Sequence, residues 1–269
     1  MDLEFIQFHP TAYISSDGNV VLITEAVRGR GARIIDEKGH RFVNELAPRD
    51  VLSIEIYKRI RNGEKVYLDL RGLNDLDRKF PHLYKALLQV GINPFKDVIP
   101  ISPAAHYSIG GIAVDIYYRT EIRNLYAIGE AAATEMHGAN RLAGNSGLEC
   151  IVSGLEVVRT IIRDNPRAER RSNANIFYDP DIDIHELKEL REIMWRYVGI
   201  MRDGNTLKKA LTLINDLSLP RRLRELVKGI VVCAMAREES RGTHYRMGYP
   251  YMRRRYEAGS KYSKGMCVI

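Results

Sequence analysis

What this sequence lacks narrows it first. It has three cysteines, Cys150, Cys233 and Cys267, and none stands at a metal-binding or redox spacing from another. A disulfide-framed secreted module and a cysteine zinc site are therefore not expected, and a reducing cytoplasm is the expected compartment. No run is apolar for long enough to suggest a membrane-spanning helix. The opening residues, MDLEFIQFHP, read neither as a signal peptide nor as an Arg/Ser-rich transit peptide. One further absence weighs more than these. A self-contained Rossmann nucleotide-binding unit needs G-x-G-x-x-G between a strand and a helix, and no such fingerprint occurs; Gly29-Arg30-Gly31 lacks the third glycine.

What is present is ordinary globular material, 45% hydrophobic and 28% charged over 269 residues, enough for two modest domains or one large one. The formal net charge is +7, which favours anionic partners such as carboxylates and phosphates. Much of the excess lies late, in Arg221-Arg222, Arg253-Arg254-Arg255, Lys261 and Lys264. Such runs usually form a solvated face. A basic module that binds nucleic acid is the alternative from another functional class, and salt-dependent retention on a polyanion would reveal it.

The chain is organised around Asn124–Glu149. Asn124–Ile128 reads as a short strand, followed by a glycine- and asparagine-rich turn, and then a run from Leu148 with apolar residues at helical spacing (Ile151, Val152, Leu155, Val158, Ile161, Ile162). Ser146 and its neighbours sit where helix N-caps are expected. A helix beginning there would present backbone N–H groups and the positive end of its dipole to an anion. The N1/O2 edge of a reduced flavin is one anion that would fit.

The wording of this stretch, LYAIGE followed by HGANRLAGNSGLE, resembles the second flavin-binding segment of the succinate dehydrogenase/fumarate reductase flavoprotein superfamily, in particular its aspartate-oxidising branch. Further blocks match in chain order. EFIQFHPT and LITEAVRGRGA resemble the family's EFxQFHPT and LITEAxRGEGA; RFVNELAPRDV resembles the block around its catalytic arginine; and IPISPAAHYSIGGIAVD resembles IPVxPAAHYxxGGIxVD, with AAHY leaning toward the aspartate-oxidising branch. MWRYVGIMR and RGTHYRMGYP are similar to later family stretches. The chain departs from the family pattern at Arg30, where the family often has Glu, at GNSGLE, where it more often reads SNSLLE, and at Gly248, which replaces an acidic residue.

The resemblance implies site residues. Arg49 is the catalytic arginine, with Glu25 and Arg28 as its proton relay; His9, Thr24, Glu25, His106 and Arg141 contact a dicarboxylate; and Glu130, Asn145, Ser146 and Gly147 contact a non-covalently held FAD. No metal is implied. The free pKa of arginine exceeds 12, yet it can serve as the proton donor to a carbanion-like carbon while pairing with the carboxylates in bidentate fashion. Proton loss in the reverse direction needs a relay such as Glu25 and Arg28. Read without the family, His9 is a turn histidine before proline, Arg49 a surface arginine, and Glu25 a strand-end carboxylate paired with Arg28.

The implied reaction is FAD-dependent oxidation of L-aspartate to iminosuccinate, the first step of quinolinate and NAD synthesis, with oxygen or fumarate reoxidising the flavin. A succinate dehydrogenase or fumarate reductase flavoprotein is the near alternative. The match also implies that the nucleotide-binding N-terminal half of such a protein lies outside this sequence. That half, and quinolinate synthase, are the implied partners, with no membrane and no nucleic acid involved.

The expected fold class is α+β. A capping domain over residues 1–104 and a partial FAD-binding α/β segment over 105–165 precede a C-terminal three-helix bundle over 172–269. A polar linker is expected over 165–176. Strands are expected over 20–26, 32–36 and 41–43, and helices from Asp50, around Pro81, from Leu148 and at three places after Ile184. His244 and Arg246 either face a neighbouring domain or the flavin region or, on the plainer reading, form a capped, surface-exposed turn.

Overall fold

A computed structural model describes residues 1–15, 18–166 and 181–269. The linker expected over 165–176 therefore falls mostly outside the described residues. The chain divides into two compact units, Gln7–His106 and Met1–Ile6 with Tyr107–Ile269. Helix and strand are mixed in both, as an α+β chain requires.

In the unit Gln7–His106, strand Ile6–Ile14 runs between Val20–Leu22 and Ser102–Ser108, with Ala12 opposite Leu22 and Ile14 opposite Val20. A second sheet orders Arg33–Asp36, Val66–Asp69 and Ile99–Pro100. Ile34, Leu68 and Ile99 from that sheet meet Leu52, Ile56, Leu76 and Leu87 from helices in one core, and all seven are fully buried.

The helix Arg49–Arg61 follows local rules. It starts after Pro48, has Asp50 in its first turn and Lys58, Arg59 and Arg61 in its last, and buries Leu52, Ser53 and Ile56. Acid at the amino end and base at the carboxyl end suit the helix dipole. It gives way at Asn62-Gly63, where Gly63 takes φ +83°. Ser53 Oγ donates to Phe8 O at 3.3 Å, which fixes the first turns of the helix against the central strand.

Three sequence expectations need correction in detail. The strand expected over 20–26 stops at Leu22. Thr24 instead caps a short helix, Glu25–Gly29, by accepting from Ala26 N at 3.4 Å; a Thr-Glu pair is a helix-start signal, and it outweighs the apolar run before it. Arg41–Val43 reduces to one bridge, Ile35 to Arg41, beside the turn at Gly39. Asn124–Ile128 likewise keeps only the bridge Arg119 to Tyr126, because positive φ angles at Asn124 (64°) and Gly129 (56°) bend the backbone out of the extended form at both ends.

The other unit carries the long helix Asn145–Asp164 and three later helices, Ile184–Val198, Gly204–Asp216 and Arg221–Ala236. Leu190, Ile193, Leu207, Ala210, Ile214, Val227 and Val231 form the shared core of those three. Asp203 opens the middle one with a full capping box to Thr206. The long helix begins three residues before its apolar run. Its N-cap is Gly144 in the left-handed region (φ 86°), not Ser146, and no side chain caps it. No helix among the described residues is long and apolar enough to cross a membrane.

Candidate active site

The central strand, the strand Ser102–Ser108, the short helix with its cap and the Arg49–Arg61 helix carry six of the expected residues, His9, His106, Thr24, Glu25, Arg28 and Arg49, inside the unit Gln7–His106. Arg49 is the first residue of its helix. Its Nε donates to Glu25 Oε2 at 2.9 Å and its Nη1 to Gln7 Oε1 at 3.1 Å. The same Glu25 oxygen lies 3.4 Å from Arg28 Nη2. One carboxylate oxygen thus bridges two guanidinium groups.

Arg28 is buried and its Nη1 donates to the backbone carbonyl of Glu45, while its Nε and Nη2 make no hydrogen bond, Nη2 meeting Glu25 only as an ion pair. Burial, helped by the nearby positive charge of Arg49, pulls the Arg28 pKa below the ordinary arginine value. Glu25 is the open member, with its side chain 44% exposed against 11% for Arg49.

His9 is 3% exposed and meets the His106 ring edge to face at 5.2 Å. Burial pushes its pKa down to about 3, and the charges of Arg49, His106 and Arg28 add to the effect. It is therefore neutral at pH 7. Its Nδ1 accepts from Thr11 N at 3.3 Å, so the ring proton sits on Nε2 and His9 can only donate from that end. Thr24 is the exposed cap of the short helix, one residue before Glu25. Arg30 carries its departure from the family pattern outward, pairing with Asp75 at 2.6 Å.

The remaining expected residues belong to the other unit. Arg141 is buried, lies over the Tyr107 ring at 4.3 Å, and donates to Leu142 O at 3.3 Å and Ser146 Oγ at 3.4 Å. Glu130 is exposed and accepts from Ser108 N at 2.8 Å. Asn145, Ser146 and Gly147 form the first turn of the uncapped helix, and Asn145 lines a cavity of about 860 Å³ together with Thr134, Leu148, Glu149 and Val152. An uncapped first turn leaves N–H donors for an anion, and a cavity of this size suits a ring-bearing ligand.

Sequence reasoning missed two residues here. Gln7 orients Arg49. Glu149, a buried carboxylate, accepts from Thr134 Oγ1 (2.7 Å) and Tyr107 OH (2.9 Å) and pairs with His137 Nε2 (2.9 Å). Burial, then the hydrogen bond to Glu149, pushes the Tyr107 phenol pKa up. Both residues stand inside the matched blocks, in QFHP and SGLE, so position within a motif was the available signal.

His244 and Arg246 are not an exposed turn. His244 is fully buried, with Nδ1 2.7 Å from Arg202 Nη1 and Nε2 3.1 Å from Arg237 O. Arg253 and Arg255 are exposed, yet both approach Glu238, at 3.9 and 3.2 Å, which tempers the charge of that run. Among the described residues no His/Cys/Asp/Glu group is arranged to hold a metal ion.

Comparison with known proteins gives the family. Residues 1–146 match the family described as FAD binding domain. The chain is 49% identical over its whole length to an L-aspartate oxidase of Pyrococcus furiosus, of which it covers 56%. It is 38% identical over 93% of its length to the L-aspartate oxidase of Yersinia pestis, of which it covers 53%. The chain thus spans about half the length of these relatives. Among solved structures, an E. coli quinol fumarate reductase FrdA variant superposes with a TM-score of 0.79 at 26% identity, over 94% of this chain and 55% of that one.

Proposed function

We propose, from the premise that this chain belongs to the succinate dehydrogenase/fumarate reductase flavoprotein superfamily through its FAD-binding family, that it supplies the substrate side of an enzyme oxidising L-aspartate to iminosuccinate. The observation that carries the reading is the Arg49–Glu25–Arg28 chain, two arginines joined through one carboxylate oxygen beside a neutral, donor-only histidine. Arg49 pairs with a substrate carboxylate through guanidinium edges that Glu25 and Gln7 leave available. His9 Nε2–H donates to the same class of acceptor without adding charge. His106 and Thr24 complete the donor set, and Arg141 is the second carboxylate-binding arginine.

The proton leaving the substrate passes to Arg49 and on through its relay, Glu25, the half-exposed member, and Arg28, whose lowered pKa makes it a better exchanger than an ordinary arginine. FAD, held non-covalently, supplies the hydride acceptor. Glu130, Asn145, Ser146 and Gly147 would hold it, and the uncapped first turn beginning at Asn145 would offer backbone N–H donors to its anionic part. Oxygen or fumarate regenerates it. The product feeds quinolinate and NAD synthesis, with quinolinate synthase as the consuming partner and the cytoplasm as the compartment. In this reading residues 1–104 are the capping domain, 105–165 the second FAD-binding segment and 172–269 the three-helix domain.

The test uses the full-length protein. Arg49→Leu and Arg141→Leu are each expected to lower kcat/KM for aspartate by roughly a hundredfold or more; unchanged values sink this site. A second reading, a succinate dehydrogenase or fumarate reductase flavoprotein, draws on the E. coli likeness. Turnover of succinate but not aspartate decides for it.

A further inference from the structure

The carboxyl-terminal hairpin pairs Lys261–Ser263 with Met266–Val268, placing Tyr262 opposite Cys267. Lys264 and Gly265 turn it, both at positive φ (50° and 83°), as a two-residue hairpin loop demands. Directly opposed residues project from the same face of a ladder, and Tyr262 and Cys267 are the partly buried residues among exposed strand neighbours. The element on which that face rests is the helix Arg221–Ala236: a Cβ added to Gly229 would lie 3.0 Å from the Tyr262 ring. Gly229 and Cys233 stand one turn apart on one helix face. Where Gly229 admits the ring, the next turn brings the fully buried Cys233 to Cys267. The two thiols lie close enough to perturb each other's titration, and the Ser260 hydroxyl acts on both.

We propose that this pair is a modification site at which hydrogen peroxide joins Cys233 to Cys267 in a disulfide that staples the hairpin to the helix. Cys267 is the partly exposed member, and its closeness to Cys233 lowers its pKa; that same closeness, with burial, raises the Cys233 pKa. The thiolate is the nucleophilic form of a cysteine, and Cys267, the partly exposed sulfur, is the one that meets the oxidant. Its sulfur attacks a peroxide oxygen, the O–O bond breaks, and hydroxide leaves a sulfenic acid behind. Cys233 gives its proton to that hydroxide and attacks the Cys267 sulfur. The S–O bond breaks and a second hydroxide departs, taking up the proton that Cys267 had released. Two thiols and one peroxide become one disulfide and two waters, with two electrons passing from sulfur to peroxide.

The staple also reaches the start of the chain. Ser260 donates from Oγ to Glu4 Oε2 at 2.7 Å and from its backbone N–H to Asp2 Oδ1 at 2.8 Å, so fixing the hairpin fixes a contact with residues 2–4. An oxygen-reoxidised flavin would be a local source of the peroxide; that source alone rests on the proposed activity, whereas the disulfide does not.

The purified protein is treated with hydrogen peroxide, alkylated and mapped without reductant. The expected result is a linked Cys233–Cys267 peptide pair. Brief tryptic cleavage after the exposed Lys264 then releases Gly265–Ile269 from the untreated protein, whereas the treated protein loses that release until reductant is added. Cys150→Ser should keep both signatures and Cys267→Ser should lose both. Peroxide that leaves both thiols open to alkylation overturns the proposal, as does Cys267 driven to sulfinic acid with no linked peptide. If added peroxide forms the link but aerobic turnover of aspartate does not, the modification site stands and the proposed activity loses its role as oxidant source.

Discussion

Each unit holds a buried arginine–carboxylate network, and the two are finished to different degrees. In the unit containing Tyr107–Ile269, Arg237 donates through all three nitrogens: Nε to Glu4 Oε1 (2.6 Å), Nη1 to Glu239 Oε1 (2.9 Å) and Tyr256 O (2.8 Å), and Nη2 to Ala258 O (3.3 Å). Glu239 also takes Arg241 at 2.7 Å and Arg253 N at 2.7 Å. In the unit Gln7–His106, Arg28 leaves Nε without an acceptor and Glu25 stands half open. Burying a guanidinium without satisfying it costs free energy. A network completed by the protein itself serves stability, whereas one left open keeps donor capacity for a ligand.

The sharpest way to break this contrast is to cut the finished network. Glu4→Ala removes one fully buried carboxylate partner and leaves Arg237 Nε without its acceptor while Glu239 still pairs with Nη1, so unfolding free energy should fall by roughly 3 kcal/mol, read by chemical denaturation. The open network should answer the opposite way. Glu25→Gln in the full-length protein should lower kcat for aspartate by about 10²–10³-fold while changing unfolding free energy by less than about 1 kcal/mol, since its carboxylate is already half solvated. Equal stability losses in the two variants would erase the distinction.

How much of this was legible in the sequence follows the same division. Arg49, Glu25, Arg28, His9 and His106 come from separate segments, and family wording, not periodicity, picked them out. The Arg49–Arg61 helix was readable because its caps, charges and apolar spacing are local. The exposed-turn reading of His244 failed because RGTHYRMGYP is mostly polar; its burial is set by Arg202, 42 residues away, and by Arg237, which lies before that motif. The cysteine pair was dismissed on spacing for the same reason. Ser146 was misplaced as the cap because a left-handed glycine at 144 starts the helix earlier than the apolar run suggests.

Acid titration sharpens the comparison further. The folded pKa of His9, about 3, lies below the ordinary 6.5, so below pH 6.5 the unfolded chain takes up a proton that the folded one refuses. The His9 contribution to stability is therefore fully present above pH 6.5 and is lost as pH falls from 6.5 toward 3, at up to about 1.4 kcal/mol per pH unit. His9→Gln should flatten the pH dependence of unfolding free energy in that window by about one proton; an unchanged slope would mean that His9 titrates normally.

The smallest effects separate glycines that are needed from those that are not. A Cβ at Gly111 would lie 2.5 Å from Ala131 O, whereas one at Gly147 would meet nothing within 4 Å. Gly111→Ala should cost about 1–3 kcal/mol by overpacking. Gly147→Leu, which restores the family wording, should gain up to about 1 kcal/mol through helix propensity.

The central claim is that the open arginine–carboxylate cluster performs the chemistry, and flavin reduction tests it most directly. Full-length protein loaded with FAD is mixed anaerobically with L-aspartate, and the visible flavin band is followed in the wild type and in Arg49→Leu. The account expects the wild-type band to bleach and the variant to retain its flavin while bleaching at least about a hundredfold more slowly. Bleaching of the variant at the wild-type rate would contradict it.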